Sequence, residues 1–247
     1  MTTAEQPEIP RVDLLEPRSA KGRRTRARLV EAAKRVFEER GLTGARVSDI
    51  TKEAKASYGL FYHYFKSKEE VFCEVAEAQE VSLLSALEDS AGRGWEPVER
   101  IRAANRTYLA AYQRERKIMA VIESVSRYDE TVRQVRAQRD DEFALRLQSS
   151  IESLQRSGRA DPNVDPWYAA NALGYMVARF AEDWLVHGVE YEFEKAVDQL
   201  TRLWANAIGL PPDGSPEAAH DRRAREAPTP LRPRRPRREP QRPPADP

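Results

Sequence analysis

The residues best placed to do chemistry lie in one short stretch, Ser57-Tyr-Gly-Leu-Phe-Tyr-His-Tyr-Phe65. Helical spacing puts Phe61 and Phe65 together at i, i+4, with Tyr58 on the adjoining edge. The two phenylalanines can anchor such a helix against Val36, Phe37 and Ile50, leaving Tyr62, His63 and Tyr64 around the other side. Tyr and His donate to phosphate oxygens while their rings pack on sugars, and Gly59 lets a backbone approach closely. A helix of two turns fits a major groove, where its first residues meet base edges. Ser57, at the start of that helix, is counted with Tyr58 among the candidate DNA-contact residues. Lys66 and Lys68 follow at once, Lys68 in the first turn of the next helix, where free N–H groups and the dipole also favour an anion. Arg46 has the equivalent place before the preceding helix. Upstream, Arg18, Lys21, Arg23, Arg24, Arg26 and Arg28 form an acid-free basic run, suited to a phosphate backbone or a minor groove. A short core helix and a solvated basic tail are the plain alternatives. Aromatics, flanking lysines and a basic arm in one place outweigh them.

The chemistry so implied is the binding of a polyanion, and the sequence offers no catalytic competitor. Cys73 is alone, so it makes no internal disulfide and no thiolate metal site, and it reads as a small buried apolar side chain in a reducing, cytoplasmic setting. His187 and His220 lack companions at ligand spacing, so no metal is expected. Asp140 and Asp141 are adjacent, point apart on a helix, and read as a solvated face. Phosphate-cradling glycine loops, a nucleophile elbow and a His-Glu-x-x-His pattern are missing. The expectation is a non-enzyme without cofactor. No apolar run approaches the ~20 residues of a membrane span, and the acidic, polar start does not read as a secretory signal.

Charge supports the same reading once it is divided along the chain. The formal net charge of +1 hides fourteen Lys/Arg against five Asp/Glu in residues 18–68, and seventeen against twenty-five in residues 69–210. A basic segment on an acidic body focuses positive potential where a polyanion docks.

The elements that must position these residues are all helical. Residues 1–20, with Pro7, Pro10 and Pro17, read as a flexible arm. Leu29, Ala32, Ala33, Val36 and Phe37 form an i, i+3, i+4 stripe on a helix ended by Gly41. Short helices follow over about 47–54 and 58–64. Ser67-Lys-Glu-Glu70 fits a capping box opening a long helix to about Asp89, and Gly92 and Gly94 mark a linker. Further helices are expected from Pro97 to about Lys117, over 118–126, from about Asp129 to Gly158, and from Asp165-Pro166 to about His187. A last one carries Phe193, Ala196, Val197, Leu200, Trp204, Ala207 and Ile208 on one face. Residues 211–247 hold eleven of seventeen prolines and nine arginines, which predicts disorder. The fold class expected is all-α: a three-helix domain with a helix-turn-helix at 21–66, joined to a larger helical domain at 67–210.

The stretch resembles the TetR family of bacterial repressors. The residues carrying the likeness are Ala32-Ala33, Phe37, Gly41, Val47-Ser-Asp-Ile50 and Gly59-Leu-Phe-Tyr-His-Tyr-Phe-Lys-Ser-Lys-Glu70. It covers about residues 22–72 without an insertion between Gly41 and Glu70. The resemblance implies DNA contacts from Tyr58, Gly59, Tyr62, His63, Tyr64 and Lys68, with Arg46 and Ser48 reaching in from the supporting helix. Two positions depart from the family's pattern. Ala54-Lys55-Ala56 stands where Ala-Gly-Val is frequent, so a left-handed Lys55 would cost about 1 kcal/mol. Leu60 replaces a residue often polar, and suits a thymine methyl instead of a base hydrogen bond.

By the same resemblance the remaining helices form a domain that dimerises and encloses a small effector. A pocket is expected from Tyr108, Tyr112, Met119, Ile122, Phe143 and Leu147, together with Tyr175, Met176, Arg179 and Phe180. Aromatics and methionine suit a sizeable, largely apolar ligand. The dimer interface is expected to use Trp184, Phe193, Val197, Leu200 and Trp204. The partners implied are operator DNA, a small effector and a second copy. A helical architectural protein that coats DNA without an effector is the other class compatible with the basic regions.

Overall fold

A computed structural model describes residues 19–89 and 95–211. The expected proline-rich arm, the Gly92/Gly94 linker and the Arg/Pro tail fall outside these, apart from the arm's last two residues and Pro211. Among the described residues every regular element is an α-helix. In chain order they are α1 (Ala20–Gly44), α2 (Val47–Glu53), α3 (Tyr58–Tyr64), α4 (Lys68–Asp89) and α5 (Pro97–Arg114). They continue with α6 (Arg116–Ser126), α7 (Glu130–Arg156), α8 (Pro166–Leu185) and α9 (Phe193–Ala207).

Local chemistry fixes the boundaries. Ser19 Oγ accepts from Gly22 N at 3.0 Å, Asp129 Oδ1 from Val132 N at 3.0 Å, and Asp165 Oδ1 from Trp167 N at 2.9 Å, so each caps donors that a helix start leaves open. Pro97 and Pro166 sit in first turns, where no N–H is needed. Gly41, at φ +64°, bends α1 before its last turn, so the stop signal read from sequence produces a kink. The break expected near Lys117 falls instead at Glu115.

α1 packs on α2, α4 and α6; α4 continues past the first three helices to pack on α5 and α7. One apolar core runs through both regions, from Leu29, Phe37, Ile50 and Phe61 through Val75 and Leu83 to Ile122, Ile151 and Val197. The α1 stripe, Leu29, Ala32, Ala33, Val36 and Phe37, is buried as its spacing predicts. On α9 the buried residues are Ala196, Val197, Leu200, Thr201, Trp204 and Ala205, whereas Ala207 is exposed. This face lies along α5, so Val197, Leu200 and Trp204 belong to the core of one protomer and are not available as a dimer surface. Their apolar periodicity records burial, and burial inside a chain or between chains leaves the same pattern. Trp184 and Phe193 are half-buried, their rings 6.0 Å apart. No helix among the described residues is long and apolar enough to cross a membrane.

Candidate nucleic-acid interface

The helix-turn-helix is built from its turn outward. α2 ends in a Schellman arrangement: Ala56 N donates to Thr51 O at 2.9 Å and Lys55 N to Lys52 O at 3.2 Å. That places Lys55 at the left-handed position, with φ +50°, where glycine is the unstrained choice. Ser57 then caps α3, its Oγ accepting from Leu60 N at 3.2 Å. Phe61 and Phe65, with ring centroids 5.6 Å apart, are fully buried alongside Ile50 and Phe37. Anchoring one side of a seven-residue helix, about 10 Å long, exposes the other.

The exposed side carries the predicted aromatics. Tyr58 and Tyr62 are 51 % and 54 % exposed, their rings 6.1 Å apart. His63 is exposed beside them, and a Cβ placed on Gly59 would meet nothing within 4 Å. Tyr64 is half-buried, packed on the core with its ring edge-on to His63 at 4.9 Å. Ser48, Arg46 and Lys66 are exposed, and Arg46 has no acidic partner among the described residues. Arg46 N donates to Asp49 Oδ2 at 3.2 Å, a bond that fixes the start of α2 and leaves the guanidinium free.

Two cations behave differently from the sequence expectation. The Lys68 ammonium donates to Leu42 O at 2.8 Å, Ala45 O at 3.0 Å and Thr43 O at 3.3 Å. All three of its donors go to carbonyls at the end of α1, so its geometry serves the junction of α1 and α4 and leaves nothing for a phosphate. The basic run is likewise not a loose arm, because helix α1 begins at Ala20. Arg23 and Arg24 lie on its exposed side, whereas Arg26 turns inward, pairing with Glu74 and lying 5.2 Å over the Phe65 ring. Burial pushes the Glu74 carboxyl up to about 7 despite the Arg26 guanidinium beside it. It also raises the neighbouring Cys73 thiol to about 11, which keeps that thiol protonated and inert.

The larger region contains a cavity of about 500 Å3 between α5, α7, α8 and α9, with Leu83 of α4 in its wall. Tyr108, Phe143, Leu147 and Tyr175 line it as expected. Tyr112, Met119 and Ile122 are buried elsewhere in the core, and Met176 packs against that core outside the cavity. Arg179 pairs with Glu182 at 3.0 Å and Asp183 at 2.8 Å, and Phe180 stacks 4.4 Å from Tyr191. Sequence reasoning missed Asn105, Ile151, Val177 and Trp204 in the wall. Asn105 is polar, so apolar spacing does not mark it, and the stripe that holds Trp204 fits a dimer surface as well as a cavity wall. His187 also has companions that spacing could not show. Ligand atoms of His187, Glu123 and Glu182 come within 4.8 Å of one another across three segments. Arg127 at 2.7 Å from Glu123, and Arg179 on Glu182, already compensate the two acids, which makes this a charge-balanced tie.

Residues 29–75, spanning α1 to the start of α4, match the family described as bacterial regulatory proteins, tetR family. The solved structure of a TetR-like transcriptional regulator from Rhodococcus sp. RHA1 superposes with a TM-score of 0.57 at 25% identity, over 75% of this chain and 96% of that one. Residues 29–75 thus carry the TetR-family DNA-binding pattern, and the fold around them is that of TetR-like regulators. Among curated relatives, the HTH-type transcriptional regulator YdgC of Bacillus subtilis is 26% identical over 199 residues, 79% of this chain and 97% of its own length. The HTH-type transcriptional repressor NicS of Pseudomonas putida is 40% identical over 60 residues, only 28% of its length.

Proposed function

We propose that the chain is a TetR-family regulator, a homodimeric repressor that leaves a pseudo-palindromic operator when a small, largely apolar effector enters the cavity. The observation that carries the reading is the course of α4. At its head Lys68 holds the end of α1, and Glu70 accepts from Lys66 N beside the recognition helix. About 22 Å further along the same helix, Leu83 forms part of the cavity wall. A ligand that moves Leu83 therefore acts on the rod that sets the recognition helix, and it weakens DNA binding by the difference between its affinities for the two arrangements.

On the DNA side, Tyr58, Gly59, Tyr62 and His63 meet the major groove, with Arg46 and Ser48 from α2 and Lys66, Arg23 and Arg24 on phosphates. Tyr64 supports His63, and Ser57 sets the helix start. A second copy would supply the other half-site about one helical turn away. The exposed Trp167, Tyr168 and Tyr175 of α8 and Leu203 of α9 suit that contact, in place of the buried α9 stripe.

Selection from random duplexes with the full chain tests the proposal. An inverted repeat with half-sites about 34–36 Å apart is expected. Enrichment of no repeat, with random DNA bound as tightly as any selected site, overturns it in favour of an architectural protein.

A further inference from the structure

The floor of the cavity is apolar except at one point. Ile151, Ala170, Val177, Trp204 and Ile208 are buried there, and Asn105 stands among them at 5 % exposure. A buried amide in such a place needs partners. Asn105 has one. Its Nδ2 donates to Thr201 Oγ1 at 3.3 Å, and Thr201, itself 1 % exposed, donates its hydroxyl proton to Val197 O at 2.7 Å.

That relay fixes which way the amide faces. With its proton committed to Val197 O, the Thr201 oxygen can only accept, so Asn105 must present its NH2 group and not its carbonyl. Among the described residues the Asn105 Oδ1 then meets no donor, and the residue carrying it is part of the cavity wall. The cationic side chains of the lining, Arg100 and Arg146, are both exposed, whereas Asn105 and the apolar residues around it are buried. An anion at the floor would be buried without a counter-charge, at a cost no neutral group meets.

We infer that the effector is a largely apolar molecule that carries a neutral hydrogen-bond donor, a hydroxyl or an N–H, on its buried end, and that Asn105 selects it through Oδ1. This rests on the cavity being the effector site. A molecule without the donor leaves the amide oxygen dry and unpaired, which disfavours it relative to one that has it. Thr201 is a positioning residue, acting only through the orientation of Asn105.

The probes are para-pentylphenol and its methyl ether, which share an apolar body and differ in the donor. Each is titrated against the neutral dye N-phenylnaphthylamine bound to the full-length chain. The phenol should displace the dye at a concentration roughly tenfold below the ether. Asn105→Leu should erase that preference while keeping the ether's affinity. Thr201→Val, which preserves volume and leaves the cavity wall intact, should shrink the preference in the same direction, and it decides the matter if Asn105→Leu loses its helical circular dichroism. Equal displacement by phenol and ether in the unaltered protein, with the dye bound, overturns the donor inference and leaves the effector cavity standing. A dye that does not bind, or that binds a cavity-filling Gly174→Trp variant as tightly as the parent, overturns the cavity reading, and this inference with it.

Discussion

Replacing Lys68 with methionine keeps the aliphatic stem and removes the charge with its three donors. The two shorter bonds, to Leu42 O at 2.8 Å and Ala45 O at 3.0 Å, end on residues that are 8 % and 2 % exposed. The third, at 3.3 Å to Thr43 O, ends on an exposed residue and contributes little. Hydrogen bonds to charged groups are worth about 1.5–3 kcal/mol each, and part of the loss is recovered by water at this half-buried site. Lys68→Met should therefore destabilise the chain by about 2–3 kcal/mol. For a protein of this size that lowers Tm by about 5–10 °C, read by far-UV circular dichroism. Lys68→Arg, which cannot place three donors on the same carbonyls, should fall between. At a temperature where the variant is folded, its log-log salt dependence of operator binding should keep the slope of the parent. A Tm within about 1 °C of the parent, with a slope shallower by about 0.9, would put the ammonium on a phosphate and refute the argument.

Other outcomes follow from the same geometry. Arg46→Ala should leave Tm unchanged, because the guanidinium has no protein partner, yet weaken operator binding and flatten the salt slope by about 0.9 in gel-shift titrations. Lys55→Gly relieves a φ of +50° and should stabilise by about 1 kcal/mol in denaturant unfolding, with Lys55→Asn gaining less. The Glu74 carboxyl, raised to about 7 by burial from an ordinary 4.5, holds its proton more tightly folded than unfolded. Its contribution is thus present at low pH and lost as pH rises between those values, and Glu74→Gln should remove that part of the slope in a Tm-against-pH series.

Much of the DNA-facing half was legible in the chain because it is locally coded. The Phe61/Phe65 spacing and the Ala54-Lys55-Ala56 turn act over a few residues, and the structure places α3 on the residues their chemistry marks. The helix order of the larger region was readable for the same reason, since caps such as Asp129 and Asp165 announce helix starts in any context. What each helix faces was not readable. An apolar stripe states that it is buried, never against what, so Trp204 passed for a dimer contact when it floors a cavity. A lysine after a recognition helix states its charge, never its partner, and only the approach of the α1 carbonyls decided where Lys68 would point. Asn105 gained its meaning from Thr201, ninety-six residues away. Patterns of period three or four are set by the chain's own helical geometry, whereas cavities, interfaces and polar relays arise from distances between helices, which no single helix encodes.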